Sequence, residues 1–332
     1  MHSEQPLLTI AIPTYNRSMY LAQLLKVLAP QLINKPLVEL MISDNSSSDD
    51  TPAVVKSFIA QGMSCRYIRN ESNIGPDANF LQCFEKANGK YVWIFGDDDV
   101  IEPTGLERVL SHLQSGEEYD LVFVKAEGFK GPYTPKIPPA HKGVTVFDHA
   151  EDLACYIHVY FTFISGNIIN RDRVRAHSSR KFTDLVGTNL VQLGWVYTAL
   201  EHHQRSLVIH DRLVATLANN TGGYALFKVF GPGFQKVTET WLTSERVKRV
   251  IIHGVLQRFF PSFLLSHKLG SSNFAQENPH QVLGPVFGQN IRYWLFDFPI
   301  IRMPRTMGRL WFWMVLAVNK IDKMLGSPLL RI

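Results

Sequence analysis

Tyr91-Val92-Trp93-Ile94-Phe95-Gly96-Asp97-Asp98-Asp99 is the stretch on which the reading of this chain turns. Five residues of strand type run into a glycine and then three consecutive carboxylates. The apolar part predicts a buried strand. The carboxylates then fall just past its C-terminal end, where open α/β sheets place their ligands. Adjacent aspartates repel one another and stay ionised at low cost only in water or beside a cation. Their hard oxygens suit Mg2+ or Mn2+, ions that bring phosphate oxygens with them. An acidic triplet alone would be a solvated turn. The strand ahead of it and the segments upstream favour a metal–diphosphate site.

Upstream, Leu7–Ile12 reads as a strand broken by Pro13. The loop Pro13-Thr14-Tyr15-Asn16-Arg17 follows, and a helix from about Met19 to Leu32. Val38–Ser43 is a second strand running into Asp44-Asn45-Ser46-Ser47-Ser48-Asp49-Asp50, rich in turn and N-cap formers, with Asp49 or Asp50 as the helix cap. A helix over Thr51–Gln61, a strand at Cys65–Arg69 and a helix over Ala78–Ala87 come next, the last stopped by Asn88-Gly89. Beyond the acidic triplet the pattern predicts a helix over Pro103–Gln114 and a strand over Asp120–Ala126. Strand and helix in alternation predict an α/β fold with a mostly parallel sheet flanked by helices. The first βα turn has no GxGxxG and the chain has no GxxxxGK[ST], which disfavours dinucleotide-binding dehydrogenases and P-loop NTPases.

Residues 128–145 read as a mobile loop rich in Gly, Pro and Lys. Val146–Tyr160 reads as helical, Phe161–Ile169 as a strand with Gly166 in its middle, and Asp184–His203 as mostly helical. Ser206–His210 and Leu213–Leu217 read as short strands. From about Gly231 helical segments replace the alternation, over Phe234–Phe260, 280–296 and Met307–Leu325. The charge divides in the same place. Residues 1–225 carry 20 Lys+Arg against 24 Asp+Glu, and residues 226–332 carry 14 against 5. We read residues 1–225 as a catalytic domain and 226–332 as a basic, aromatic-rich helical region. Trp, Tyr, Lys and Arg gather around Leu310–Val318, a run of nine residues too short to span a bilayer. That combination predicts peripheral attachment to a membrane surface. The aromatics cluster with aliphatics rather than singly along a basic groove, which argues against nucleic acid. The N-terminus shows no signal-peptide pattern. Cys65, Cys83 and Cys155 lack metal-type or CxxC spacing and read as buried free thiols of a reducing compartment. Together these predict a cytoplasmic protein at the inner membrane face.

Four motifs in order, Pro13-Thr14-Tyr15-Asn16-Arg17, Ser43-Asp44-Asn45-Ser46-Ser47-Ser48-Asp49, Asn73-Ile74-Gly75-Pro76-Asp77-Ala78-Asn79 and Gly96-Asp97-Asp98-Asp99, resemble the family 2 glycosyltransferases of GT-A fold. Phe163-Ile164-Ser165-Gly166-Asn167 and Val191–Leu200 resemble the abequosyltransferase-like branch, which builds bacterial O-antigen and related surface polysaccharides. The resemblance implies that Pro13, Thr14, Tyr15 and Arg17 line the base and ribose pocket and that Asp44 accepts hydrogen bonds from the nucleobase. It places Asp77 and Asn79 beside the nucleotide and sugar, and Asp98 in the donor site. Asp97 and Asp99 form the family's DxD and hold Mg2+ or Mn2+. It further implies a CDP- or UDP-linked sugar as donor, a lipid-linked saccharide as acceptor and an inverting displacement with one carboxylate base.

That base departs from the pattern. The family places it in an acidic pair at a helix start after the DxD, and the matching Gly187-Thr188-Asn189-Leu190 has none. Asp184 is the nearest carboxylate and the chosen base, with a helix cap as its other reading. Asp148, Glu151, Asp152 or a substrate group are alternatives, and Glu201, His202 and His203 are weaker ones. The missing pair also keeps a second function open, a catalytically silent nucleotide-sugar-binding scaffold. A nucleotidyltransferase is disfavoured because Pro13–Arg17 lacks the glycine-rich loop such enzymes carry after the first strand.

Overall fold

The computed structural model describes residues 5–137, 142–218 and 223–331. The chain divides into two compact units, one of Met1–His149 with Phe161–Asn219, the other of Ala150–Tyr160 with Asn220–Ile332. The second unit begins near the change of pattern at residue 226 but also takes up an earlier helix.

The first unit is built on one mixed sheet of nine strands: β1 (Leu8–Thr14), β2 (Val38–Asp44), β3 (Arg66–Arg69), β4 (Tyr91–Ile94), β5 (Val100–Ile101), β6 (Leu121–Phe129), β7 (Val144–Phe147), β8 (Asn167–Asn170) and β9 (Ser206–Leu217). Their order is β3-β2-β1-β4-β8-β6-β9-β5, with β7 also on β9. β3, β2, β1 and β4 run parallel, as do β6 and β9. β8 enters antiparallel between β4 and β6. The two longest ladders, β1–β2 and β6–β9, are parallel, as the alternation predicts.

Helices α1 (Ser18–Leu32), α2 (Thr51–Ala60), α3 (Pro76–Lys86) and α4 (Gly105–Leu113) cover the sheet. Leu21, Leu24, Leu25 and Leu28 repeat at helical spacing and put one face of α1 into the core. Leu106, Val109, Leu110 and Leu113 do the same for α4. Trp93 belongs to the same core, wholly buried and edge-on to Phe95.

Several local expectations change. Pro13 does not break β1, which continues to Thr14 in register with Asp44. Pro13 shares the parity of Leu7 and Ala11, whose carbonyls face β4. β1–β4 pairing ends at Ala11, so a missing N–H at Pro13 costs no ladder bond. Phe161–Gly166 coils in 3-10 turns, and the strand begins only at Asn167. A side chain at Gly166 would drive into the rings of Phe163 and Phe123, so the glycine serves close packing rather than a mid-strand approach. Ser206–Leu217 is one strand with an irregular register around Lys125, not two. Val146 and Phe147 belong to β7, so the helix there shrinks to α5 (Ala150–Ile157). The loop read over 128–145 contributes to β6 and β7, and its residues 138–141 lie outside the described ones. After α6 (Arg171–His177), the stretch read as helical from Asp184 is a 3-10 turn, a loop and then α7 (Gln192–Glu201).

The second unit is helical: α5, α8 (Leu226–Lys228), α9 (Phe234–Trp241), α10 (Glu245–Gly254), α11 (Phe260–Leu269), α12 (Pro279–Phe287), α13 (Phe298–Arg302), α14 (Arg305–Met324) and α15 (Pro328–Arg331). Wide π-turns at Val229–Gly233, Val255–Phe259 and Tyr293–Asp297 join successive segments. Among the described residues, no helix is long and apolar enough to cross a membrane.

Candidate active site

The four motifs lie at the C-terminal ends of β1, β2 and β4 and at the start of α3, and hydrogen bonds tie them together. Asp97 is buried beyond β4. Its Oδ2 accepts the Thr14 hydroxyl at 2.8 Å and its Oδ1 accepts Arg17 Nη1 at 3.0 Å. The same guanidinium lies 3.4 Å from Asp98. Burial pushes the Asp97 carboxyl up to about 6, against the pull of Arg17 and with the repulsion of Asp98. Among the described residues no cation pairs with Asp99. Burial, then the charge of Asp98, push it to about 8, although Ser165 hydrogen-bonds to it.

Ser165 joins these residues without having been named as a site residue from the motifs. Its Oγ also accepts the Gly96 N–H at 2.9 Å, and its carbonyl accepts Trp93 Nε1 at 2.9 Å. A Cβ built on Gly96 would meet Asp98 Oδ1 at 3.1 Å, Asp99 Oδ2 at 3.3 Å and Ser165 Oγ at 3.3 Å. Oxygens of three side chains therefore converge on a space that only glycine leaves open. Ser165 follows the acidic triplet by a long stretch of chain; Gly166 beside it and the branch-like segment Phe163–Asn167 were the local signals.

The loops after β1 and β2 knit to each other. Asn16 N donates to Ser47 Oγ, Ser48 N donates to Asn16 Oδ1, and Ser18 N and Thr51 N donate to the two oxygens of Asp49. Asp49, not Asp50, thus serves the N-termini of both α1 and α2. Burial works against its charge, but these donors prevail and hold its carboxyl at about 2. Asn45 fastens the next loop, accepting from Ile74 N and donating to Asn73 and Gly75.

The remaining motif residues are placed less freely than the resemblance implies. Asp44 is wholly buried, accepting Ser47 N at 2.8 Å and the Tyr67 hydroxyl at 2.5 Å. Asn79 gives both ends of its amide to Ser43. Asp77 turns its Oδ2 to the backbone N–H groups of Gly187 and Asn189, both at 2.8 Å. Burial raises its carboxyl, and these amides oppose the rise. Tyr15 and Arg17 keep surface to offer a ligand, Tyr15 being 42% exposed.

Asp184 is exposed on the 3-10 turn Phe182–Leu185, just before the loop that Asp77 holds. The alternatives to it are committed elsewhere: Asp148 pairs with Arg205, and Glu151 and Asp152 pair with Arg331. His202 stacks on His177. Both ring nitrogens of His203 are buried without a partner.

The donor set fits a divalent cation held in part by phosphate. Among the described residues no three His, Cys, Asp or Glu side chains form an all-protein metal site. Mg2+ and Mn2+ sites of nucleotide enzymes need only one or two carboxylates plus phosphate oxygens and water. The buried, mutually repelling Asp97 and Asp99 suit that arrangement.

The family model for glycosyl transferase family 2 matches residues 9–175. The chain belongs to glycosyl transferase family 2. Among curated family relatives, "Abequosyltransferase RfbV" of Salmonella typhimurium is 37% identical over 123 residues, 37% of this chain and 37% of that protein. The "GalNAc(5)-diNAcBac-PP-undecaprenol beta-1,3-glucosyltransferase" of Campylobacter jejuni is 29% identical over 112 residues, 33% of this chain and 36% of that one. The match thus spans little more than a third of either relative. Among solved structures, residues 1–349 of S. aureus TarS with UDP-GlcNAc superpose with a TM-score of 0.61 at 17% identity, over 96% of this chain and 92% of that one. A mannosyltransferase of Pyrobaculum calidifontis with GDP-Man and Mn2+ gives 0.53 at 14% identity, over 97% and 89%. These likenesses show the GT-A fold expected of a family 2 member.

Proposed function

We propose that this chain moves a sugar from a nucleotide-sugar donor, CDP- or UDP-linked, to a hydroxyl of a lipid-linked saccharide in the synthesis of a bacterial surface polysaccharide of O-antigen type. One observation carries the reading. Thr14 and Arg17 from the first motif bond to Asp97 of the last, so the two ends of the motif series meet on one buried carboxylate. The names of the Salmonella and Campylobacter relatives supply the sugar and lipid classes.

In this reading Tyr15 and Arg17 meet the nucleotide. Asp44, Asp77 and Asn79 shape the pocket through Tyr67, the Gly187–Asn189 loop and Ser43. Asp97 and Asp99 hold Mg2+ or Mn2+ with the donor's diphosphate, while Asp98 faces the donor beside Arg17. When bound, the metal supplies positive charge where the nucleoside diphosphate leaves. The acceptor hydroxyl attacks the anomeric carbon in line, the bond to the diphosphate oxygen breaks, and Asp184 takes the hydroxyl proton. One such displacement inverts the anomeric centre. The basic C-terminal region, residues 226–332, holds the enzyme at the inner face of the cell membrane.

The test is thermal stability of the full chain with UDP, GDP, CDP or dTDP, each with and without Mn2+. Ligands that bind the folded state raise the melting temperature by mass action. A rise with one nucleotide, only with metal, is expected. No rise with any of them overturns the donor-site reading. A silent scaffold is favoured by one observation: the Gly187–Leu190 loop carries no carboxylate where the resemblance implies the base, and Asp184 lies exposed on the turn before it. Metal-dependent nucleotide binding without turnover of any nucleotide sugar would establish it instead.

A further inference from the structure

Helix α14 is built inside out. Its buried residues are Gly308, Val315 and Asp322. Polar bonds hold that face to the second unit. Asn319 exchanges two hydrogen bonds with Gln257, at 2.9 and 2.8 Å. Asp322, fully buried, accepts Arg258 at 2.7 Å and Leu329 N at 2.8 Å. A soluble helix of ordinary design buries its apolar stripe. This one shows it. Stepping about 100° per residue puts Met307, Leu310, Met314, Val318, Ile321 and Leu325 in one outward arc. All six are exposed, Leu310 to 68%. Trp313, 66% exposed, sits at the arc's margin. Arg305, Arg309, Lys320 and Lys323 fall together on a third side of the helix, also exposed. Trp311 Nε1 donates to Leu295 O, which joins exposed Trp294 and Leu295 to the same surface.

At the root of α14 lies a cavity of about 600 Å3, walled in part by His267, Lys268, Glu277, Pro304 and Arg305. Glu277 spends its carboxylate on the N–H groups of Phe227 and Lys228. Lys268 donates to Ile301 O at 2.9 Å with its stem against Gly308. Burial and the nearby charge of Arg305 both weaken its hold on a proton. Two cations on the wall of one cavity make a setting that suits an anion.

We propose that α14 lies flat in the interface of an anionic bilayer with its apolar arc immersed, and that the Lys268–Arg305 cavity takes the phosphate of an anionic phospholipid headgroup. The proposal rests on the membrane part of the function proposed above. Three observations favour a bilayer over a protein partner: the three-sided division of the helix, the tryptophans at the arc's margin, and a single charge sign on the third side.

The full chain is floated with vesicles of phosphatidylcholine alone or with added phosphatidylglycerol. The parent is expected to bind the anionic vesicles. Leu310→Ser/Trp313→Ser should abolish that binding. Lys268→Gln/Arg305→Gln should weaken binding to the anionic vesicles roughly thirtyfold, from about 1 kcal/mol per cation. The charge-matched Arg246→Gln/Arg249→Gln on α10 should bind as the parent does. Arg305→Gln alone, at an exposed position, serves if the double variant melts early. Equal losses at the two charge pairs overturn the headgroup site and leave only diffuse attraction. No binding by the parent to either vesicle overturns the membrane reading itself, and glycosyl transfer would stand untouched. A change of oligomeric state on altering Leu310 and Trp313, without vesicle binding by the parent, would assign the face to a second copy of the chain.

Discussion

Asp77 gives the sharpest test of how the candidate site is held together. One of its oxygens accepts two backbone N–H groups, from Gly187 and Asn189, each at 2.8 Å. The loop it holds has positive φ at both residues, 91° and 60°, so it is a tight turn wrapped on a carboxylate. Hydrogen bonds to a charged group contribute about 1.5–3 kcal/mol each, and two on one oxygen are less than additive, so the latch is worth about 3 kcal/mol. Asp77→Ala removes the one oxygen that accepts both N–H groups. Amide exchange at Gly187 and Asn189 should then rise about 10²-fold, with a smaller change in the core strands. Asp77→Asn keeps a neutral oxygen in the same place. It should cost about 1 kcal/mol and raise exchange about fivefold. Nucleotide affinity should fall in the same order. If Asn behaved like Ala, or if Ala left those two amides as protected as in the parent, the latch argument would be refuted.

Two further outcomes are expected. The ordinary carboxyl value of 3.8 rises to about 6 at Asp97 and about 8 at Asp99 in the folded chain, so the metal-free fold is favoured at low pH and loses stability as pH climbs through those values. Asp99→Asn should therefore melt higher than the parent without metal, by a margin that grows with pH up to about 1.4 kcal/mol per unit between 4 and 8, while losing Mn2+-dependent nucleotide binding; a margin flat with pH would contradict this. Asp322→Ala leaves Arg258 without its buried partner and should cost about 3–5 kcal/mol by thermal or urea unfolding, whereas a loss under about 1 kcal/mol would show that Ser327 suffices.

The motif loops were legible because turn chemistry is local. The Asp44–Asp50 run, Asn88-Gly89 and the acidic triplet each announce the end of an element with residues that can do little else there. What escaped was decided at a distance. Nothing near Ser165 in sequence says that its hydroxyl will stand between Gly96 and Asp99, because β8 must first be inserted beside β4. Pro13 looked like a stop because the rule against proline in a strand assumes neighbours on both sides, and β4 had already ended. Asp44, Asp77 and Asn79 were readable as part of the site but not as to partner, since each is satisfied from a distant element: Tyr67 of β3, the Gly187–Asn189 loop and Ser43 of β2. The basic, aromatic character of the C-terminal region was plain, but which side of α14 faces out depends on Gln257 and Arg258.

The place of β8 has a consequence for synthesis. β3, β2, β1 and β4 are complete once the ribosome has passed residue 94, and they are the part most able to pair early. The outer edge of β4 then waits for Asn167–Asn170 before it has a neighbour. Until those residues emerge, Trp93 and the ladder groups beside it form an open apolar border of the kind that recruits strands from other nascent chains. A chain stalled or cleaved ahead of residue 167 should be dependent on chaperones, and the completed protein should not.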